Sequence, residues 1–90
     1  MDRQEQIARI IDPRGFEHRD AYLRKEREWR DKARDFPSSP QGDPNRYPHG
    51  QHAVDSIVRQ WNEMADTYRD RAAQMVRDAY EKADAIIALD

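Results

Sequence analysis

Between Gln51 and Leu89 the chain runs for 39 residues without a proline or a glycine. With no helix breaker over that length, one long helix is the simplest outcome. The order of side chains says the same. At about 100° per residue, Val54, Ile57, Trp61, Met64, Ala65, Tyr68, Ala72, Met75, Val76, Ala79, Ala83, Ile86 and Ile87 fall within an arc of about 140°. The apolar steps average near 3.6, which predicts a nearly straight helix of about 60 Å rather than a heptad supercoil. Ile57, Trp61 and Met75 are expected in the core. Such a helix needs another apolar surface to lie against.

The rest of the chain supplies that surface in two pieces. Asp2 and Glu5 have capping-box spacing ahead of Ile7, Ile10 and Ile11, predicting a first helix over about 2–11. Asp12-Pro13 then resets the chain, with Asp12 as a cap and Pro13 at a first helical position. Gly15 weakens that new turn, so the second helix is expected over about 16–35. Acid-before-base pairs Asp20–Arg24, Glu26–Arg30 and Glu28–Lys32 support it. Its apolar stripe is Tyr22, Trp29, Ala33 and Phe36, from which Phe16 and Leu23 drift away. Residues 37–50 hold four of the five prolines and are read as a loop, with Tyr47 folded back over a helix end.

These lengths predict an all-α fold and a single helical domain over 1–90. The architecture is an elongated antiparallel helical hairpin: the short first helix and the second helix pack on one long C-terminal helix over 51–89. Ile7, Ile10 and Ile11 are expected to meet Ile86, Ile87 and Leu89. Leu, Ile, Val and Phe number only 13 of 90 residues. A core that lean is marginal for a chain of this size, so homodimerisation through uncovered apolar surface is expected.

The residues also exclude much chemistry. With no cysteine there is no disulfide or thiolate metal site. His49, His52 and Asp55 lie close in sequence, but two histidines at a loop–helix junction fall short of a zinc ligand set, and nothing obliges His18 to join them. Ser38, Ser39 and Ser56 lack a nucleophile elbow or an evident base. The three glycines are isolated, so no phosphate-binding loop is present. No enzyme activity, cofactor or small-molecule substrate is expected. No apolar run is long enough for a membrane span, and the N-terminus lacks a signal pattern, so a cytoplasmic location in a bacterial host cell is expected.

Charge offers two candidate surfaces. The face of the long helix opposite its apolar arc carries Asp55, Glu63, Asp66, Asp70, Glu81 and Asp84, relieved by Arg59 and Arg77. Such an acidic ridge suits a basic groove on a protein partner, including a groove that normally holds nucleic acid. The blander account is a solubilising face. The second choice is the basic face of Arg27, Arg30 and Arg34, which would meet phosphate, although neighbouring acids offset much of its charge.

Two segments carry a resemblance. Gln6-Ile7-Ala8-Arg9-Ile10-Ile11-Asp12-Pro13-Arg14-Gly15-Phe16 and Glu81-Lys82-Ala83-Asp84-Ala85-Ile86-Ile87-Ala88-Leu89 resemble the ends of small uncharacterised proteins of alphaproteobacterial phages and prophages. Gly15 stands where those ends lead one to expect alanine. The resemblance implies a mobile-element origin and no particular activity. The expected function is therefore a non-enzymatic, phage-derived protein-binding module, in its sharpest form an inhibitor of a host defence system such as a CRISPR effector. The alternatives are a small structural or assembly component of a phage particle, or a weak nucleic-acid binder.

Overall fold

The computed structural model describes residues 2–89, and among them every regular element is helical. Helix α1 spans Arg3–Ile11, α2 spans Pro13–Asp35 and α3 spans Gln51–Ala88. The fold is all-α: a short N-terminal helix, a second helix and one long, uninterrupted C-terminal helix. The contacts divide into a terminal unit, Met1–Leu23 with Arg69–Asp90, and a loop unit, Arg24–Tyr68.

Local chemistry sets the helix ends. The Asp2 carboxylate accepts from the Glu5 backbone N–H at 2.8 Å and caps α1. Asp12 serves two helices. Its own N–H donates to the Ala8 carbonyl at 3.0 Å, closing α1, and its carboxylate accepts from the Gly15 N–H at 2.9 Å, opening α2. Because that cap is satisfied and Pro13 fits the first turn, α2 starts at Pro13, three residues before the expected start at 16. Of the acid–base pairs expected along α2, Glu26–Arg30 forms at 2.8 Å, whereas Asp20 binds Arg19 and Glu28 binds Lys25.

The segment between α2 and α3 is a chain of three 3-10 turns, Phe36–Ser38, Pro40–Gly42 and Pro44–Arg46. Each has a proline in its first turn, where a missing N–H costs nothing. Ser39 and Asp43 cap the second and third turns through side-chain oxygens. Gly42 is buried, and a Cβ there would lie 3.0 Å from the Pro37 Cα and closer still to the Phe36 carbonyl, so the turn requires glycine. The half-buried Tyr47 donates its hydroxyl to the Gln41 carbonyl at 2.7 Å and closes the loop on itself.

In the terminal unit the core is Ala8, Phe16, Val76, Ala79 and Ala83, with Ile7, Ile11 and Tyr80 packed against it. Phe16 drifts off the α2 stripe in sequence, yet it is only 1% exposed. It belongs to the part of α2 that faces α1 and the C-terminal half of α3, and the Tyr80 ring meets it edge-on at 5.7 Å. Gly15 permits the approach: a Cβ there would lie 2.8 Å from the Met75 carbonyl. Gln4 donates to Asp84 at 2.7 Å, so α1 lies alongside α3 from Asp84 back toward Val76.

That placement corrects the expected apolar match. Ile7 and Ile11 pack against the core beside Ala8, but Ile10 is 82% exposed because it stands about 160° around the helix from the buried Ala8. Leu89, at 87%, also faces out. Met75 is another expected core residue that the structure leaves open, at 38%.

In the loop unit, Ala33, Val54 and Ala65 are buried, while Trp29, Phe36, Ile57 and Trp61 are half-buried. Arg30 pairs with Asp66, and Phe36 packs on Trp61, so the end of α2 runs antiparallel to the start of α3.

Candidate protein-binding surface

The aromatic residues of the loop unit do not close over one another. Phe36 meets Trp61 edge-on at 4.9 Å, and Trp29 is tilted 58° to Trp61 with ring centroids 6.2 Å apart. Between them and the first 3-10 turns lies an open groove of about 500 Å³, lined by Trp29, Lys32, Asp35, Phe36, Ser39, Gln41 and Trp61. The small Ala33 and Ala65 are the fully buried alanines of this unit, whereas the three rings that line the groove are half-buried. Lys32 places its Nζ 4.7 Å from the Trp29 ring centroid, so the cation rests on an aromatic face. Asp35 sits opposite in charge, and the hydrogen bond from Arg34 holds its carboxyl below the ordinary value of 3.8.

Periodicity assigned Trp29 and Phe36 to a packing stripe and Trp61 to the core, and so missed the groove. The signal was there in part: four large aromatic or apolar positions on α2 are too few to fill a helix interface.

The acidic ridge is divided between the units. Asp55, Glu63 and Asp66 belong to the loop unit, and Asp70, Glu81 and Asp84 to the terminal unit. Asp66 is half-buried and accepts from Arg30 at 2.7 Å, across from α2. It is a staple within the fold rather than a free ridge charge. Asp84 accepts from Gln4 and Asp55 from Gln51, while Glu81 pairs with Arg77 at 3.5 Å and Asp70 with Arg69 at 3.6 Å. Glu63 is exposed. Exposed pairs like these hold their charges loosely and leave most of the carboxylates open to a partner.

The basic face is more committed. Arg30 is shared by Asp66 and Glu26, and those hydrogen bonds raise its pKa above the ordinary guanidinium value. Arg34 pairs with Asp31 at 3.4 Å and Asp35 at 3.0 Å. Arg27 is exposed.

The terminal unit holds a different charged cluster. The Arg9 and Arg19 guanidinium carbons lie 4.7 and 4.8 Å from the Phe16 ring centroid, and both side chains donate to Glu5 Oε1 at 3.2 Å. Partial burial alone would lower the Arg19 pKa, but hydrogen bonds to Asp20 and Glu5 outweigh it and raise the pKa. This cluster seals the Phe16 core. His18, His49 and His52 are exposed, and among the described residues no three His, Asp or Glu side chains group as a metal site. No helix among them is long and apolar enough to cross a membrane.

No family model, curated protein or solved structure matches the chain.

Proposed function

We propose that this chain is a non-enzymatic protein-binding module of phage or prophage origin, acting as an inhibitor of a host defence system such as a CRISPR effector. The observation that carries the binding role is the Trp29–Phe36–Trp61 groove, where large aromatic side chains stand half-exposed at the mouth of an open cleft. Tryptophan and its neighbours dominate binding energy when a partner desolvates them. The occupant proposed is an apolar side chain on a basic protein surface. Asp35 on the groove rim and the exposed carboxylates of Asp55 and Glu63 in the same unit supply the matching charge. The Arg27–Arg30–Arg34 face is a weaker candidate for nucleic acid, because two of its three cations are already paired within the fold.

The test is recovery of plaques by a phage that a CRISPR effector targets, in cells expressing the chain. The wild-type chain restores plaques, Trp61→Ala abolishes the effect, and Asp55→Lys with Glu63→Lys weakens it while raising its sensitivity to salt in a purified complex. Loss of the effect in the charge variant alone, with Trp61→Ala fully active, moves the contact to the acidic face. No restoration by the wild-type chain with any effector type removes the inhibitor reading. A particle-assembly role would then be favoured by the exposed apolar residues of α3, Met64, Met75 and Ile86.

A further inference from the structure

The aromatic groove of the loop unit carries polar groups that the fold does not use. The indole N–H groups of Trp29 and Trp61 make no hydrogen bond among the described residues, and neither is closed off from solvent. Lys32 lines the same groove with no ion pair among those residues, because Glu28 bonds Lys25 instead. The Ser39 hydroxyl, by contrast, is already engaged twice. It donates to the Phe36 carbonyl at 2.7 Å and accepts from the Gly42 N–H at 3.3 Å. Indole and ammonium groups donate and cannot accept. The acceptors left on the lining side chains are the Gln41 carboxamide and the Asp35 carboxylate, the latter held by Arg34 at 3.0 Å. The groove therefore offers aromatic faces and positive charge, as one ammonium and two N–H dipoles.

Its complement is an occupant that is apolar, rich in acceptors and poor in donors. Proline has those properties, with a ring to lay on an aromatic face, a carbonyl, and no N–H. In a polyproline II run every carbonyl is free of internal hydrogen bonds. A helix fits less well, because its carbonyls are taken by its own N–H groups and the groove's donors would be desolvated without a partner. An ordinary extended segment would bring N–H groups to a wall with few acceptors. A preformed polyproline II helix also loses little freedom on docking, which suits an open groove with few contacts.

We infer that the Trp29–Phe36–Trp61 groove holds a proline-rich segment of the partner in the polyproline II conformation. This rests on the groove being the binding surface and names what enters it. Prolyl rings lie against the tryptophans, and the segment's carbonyls accept from the two indole N–H groups and from Lys32. The partner's basic residues stay outside the groove, because Lys32 already supplies a cation there.

The test follows the indole N–H resonances of the intact chain by nitrogen-15 NMR as acetyl-hexaproline amide is added. Both resonances are expected to move saturably, and an amphipathic helical peptide bearing leucine moves them less at the same concentration. Trp61→Phe keeps a ring and removes one donor, so it lowers the affinity for hexaproline about three- to tenfold, the loss of one hydrogen bond. Lys32→Met keeps the stem, removes the ammonium and also weakens binding. Circular dichroism checks that both variants keep their helix content, and the wild-type titration decides even if one does not. Indole resonances unmoved by hexaproline overturn the proposal, as does stronger binding of the leucine helix. Hexaproline binding that neither variant weakens, or that Lys32→Met strengthens, overturns it too. Plaque recovery that needs Trp61 while hexaproline leaves the indoles unmoved sinks this inference and leaves the groove as the binding surface. Hexaproline binding as expected, with no plaque recovery by the wild-type chain, sustains the inference and removes the inhibitor reading.

Discussion

The two units of this molecule use aromatic side chains in opposite ways. In the terminal unit a single phenylalanine is sealed among alanines, a valine and two guanidinium groups, and 1% of it reaches solvent. In the loop unit two tryptophans and a phenylalanine surround a groove of about 500 Å³ and remain half-exposed. The difference follows from what stands opposite each ring. Gly15, Ala8, Ala79 and Ala83 let helices approach closely enough to enclose one ring. In the loop unit the rings meet one another instead, Phe36 edge-on and Trp29 tilted against Trp61, and the groove opens beside them. A lean chain can thus build a closed core at one place and a binding surface at another from the same few aromatic residues.

That contrast is tested most strongly by paired truncations. Phe16→Ala should cost about 3–5 kcal/mol, the range for removing a fully buried aromatic ring, whereas Trp61→Ala should cost about 1–2 kcal/mol because much of its surface never left water. Urea denaturation followed by far-ultraviolet circular dichroism measures both. Equal costs would mean that the groove is as much a core as the Phe16 cluster.

A smaller effect sharpens the role of close approach. Glycine to alanine within a helix ordinarily gains about 1 kcal/mol. At Gly15 the new Cβ would press on the Met75 carbonyl at 2.8 Å and on the capping Asp12 carboxylate, so Gly15→Ala should instead destabilise by about 1–3 kcal/mol. Thermal melts beside a control such as Ala73→Gly, on the exposed side of α3, separate the packing term from intrinsic propensity.

The smallest expected effect belongs to the staple of the loop unit. A double-mutant cycle on Arg30→Ala and Asp66→Ala should return a coupling of about 0.5–1 kcal/mol that falls as salt is raised, because both side chains are partly exposed. A coupling that ignores salt would point to packing of the arginine stem instead.

Much of this architecture is legible in local chemistry. The unbroken α3, the double duty of Asp12 ahead of Pro13, and the proline-driven turns each depend on residues within a few positions of one another. The candidate surfaces are less legible. Asp66 and Asp70 look equivalent on a helical wheel, yet only the carboxylate of Asp66 meets Arg30, because α2 passes on its side. Ile10 looks equivalent to Ile7, yet it stands on the side of α1 away from the buried Ala8 and is exposed.

What the sequence by itself determined is therefore the set of long helices and most of their ends, since capping, proline stereochemistry and 3.6-residue periodicity act over one or two turns; the start of α2 at Pro13 was the exception. Only the tertiary structure decided which apolar residues are sealed, which stay open, and which charges are spent inside the fold. Those outcomes depend on how closely two helices approach, and that distance is set by pairs such as Gly15 and Met75, sixty residues apart in the chain.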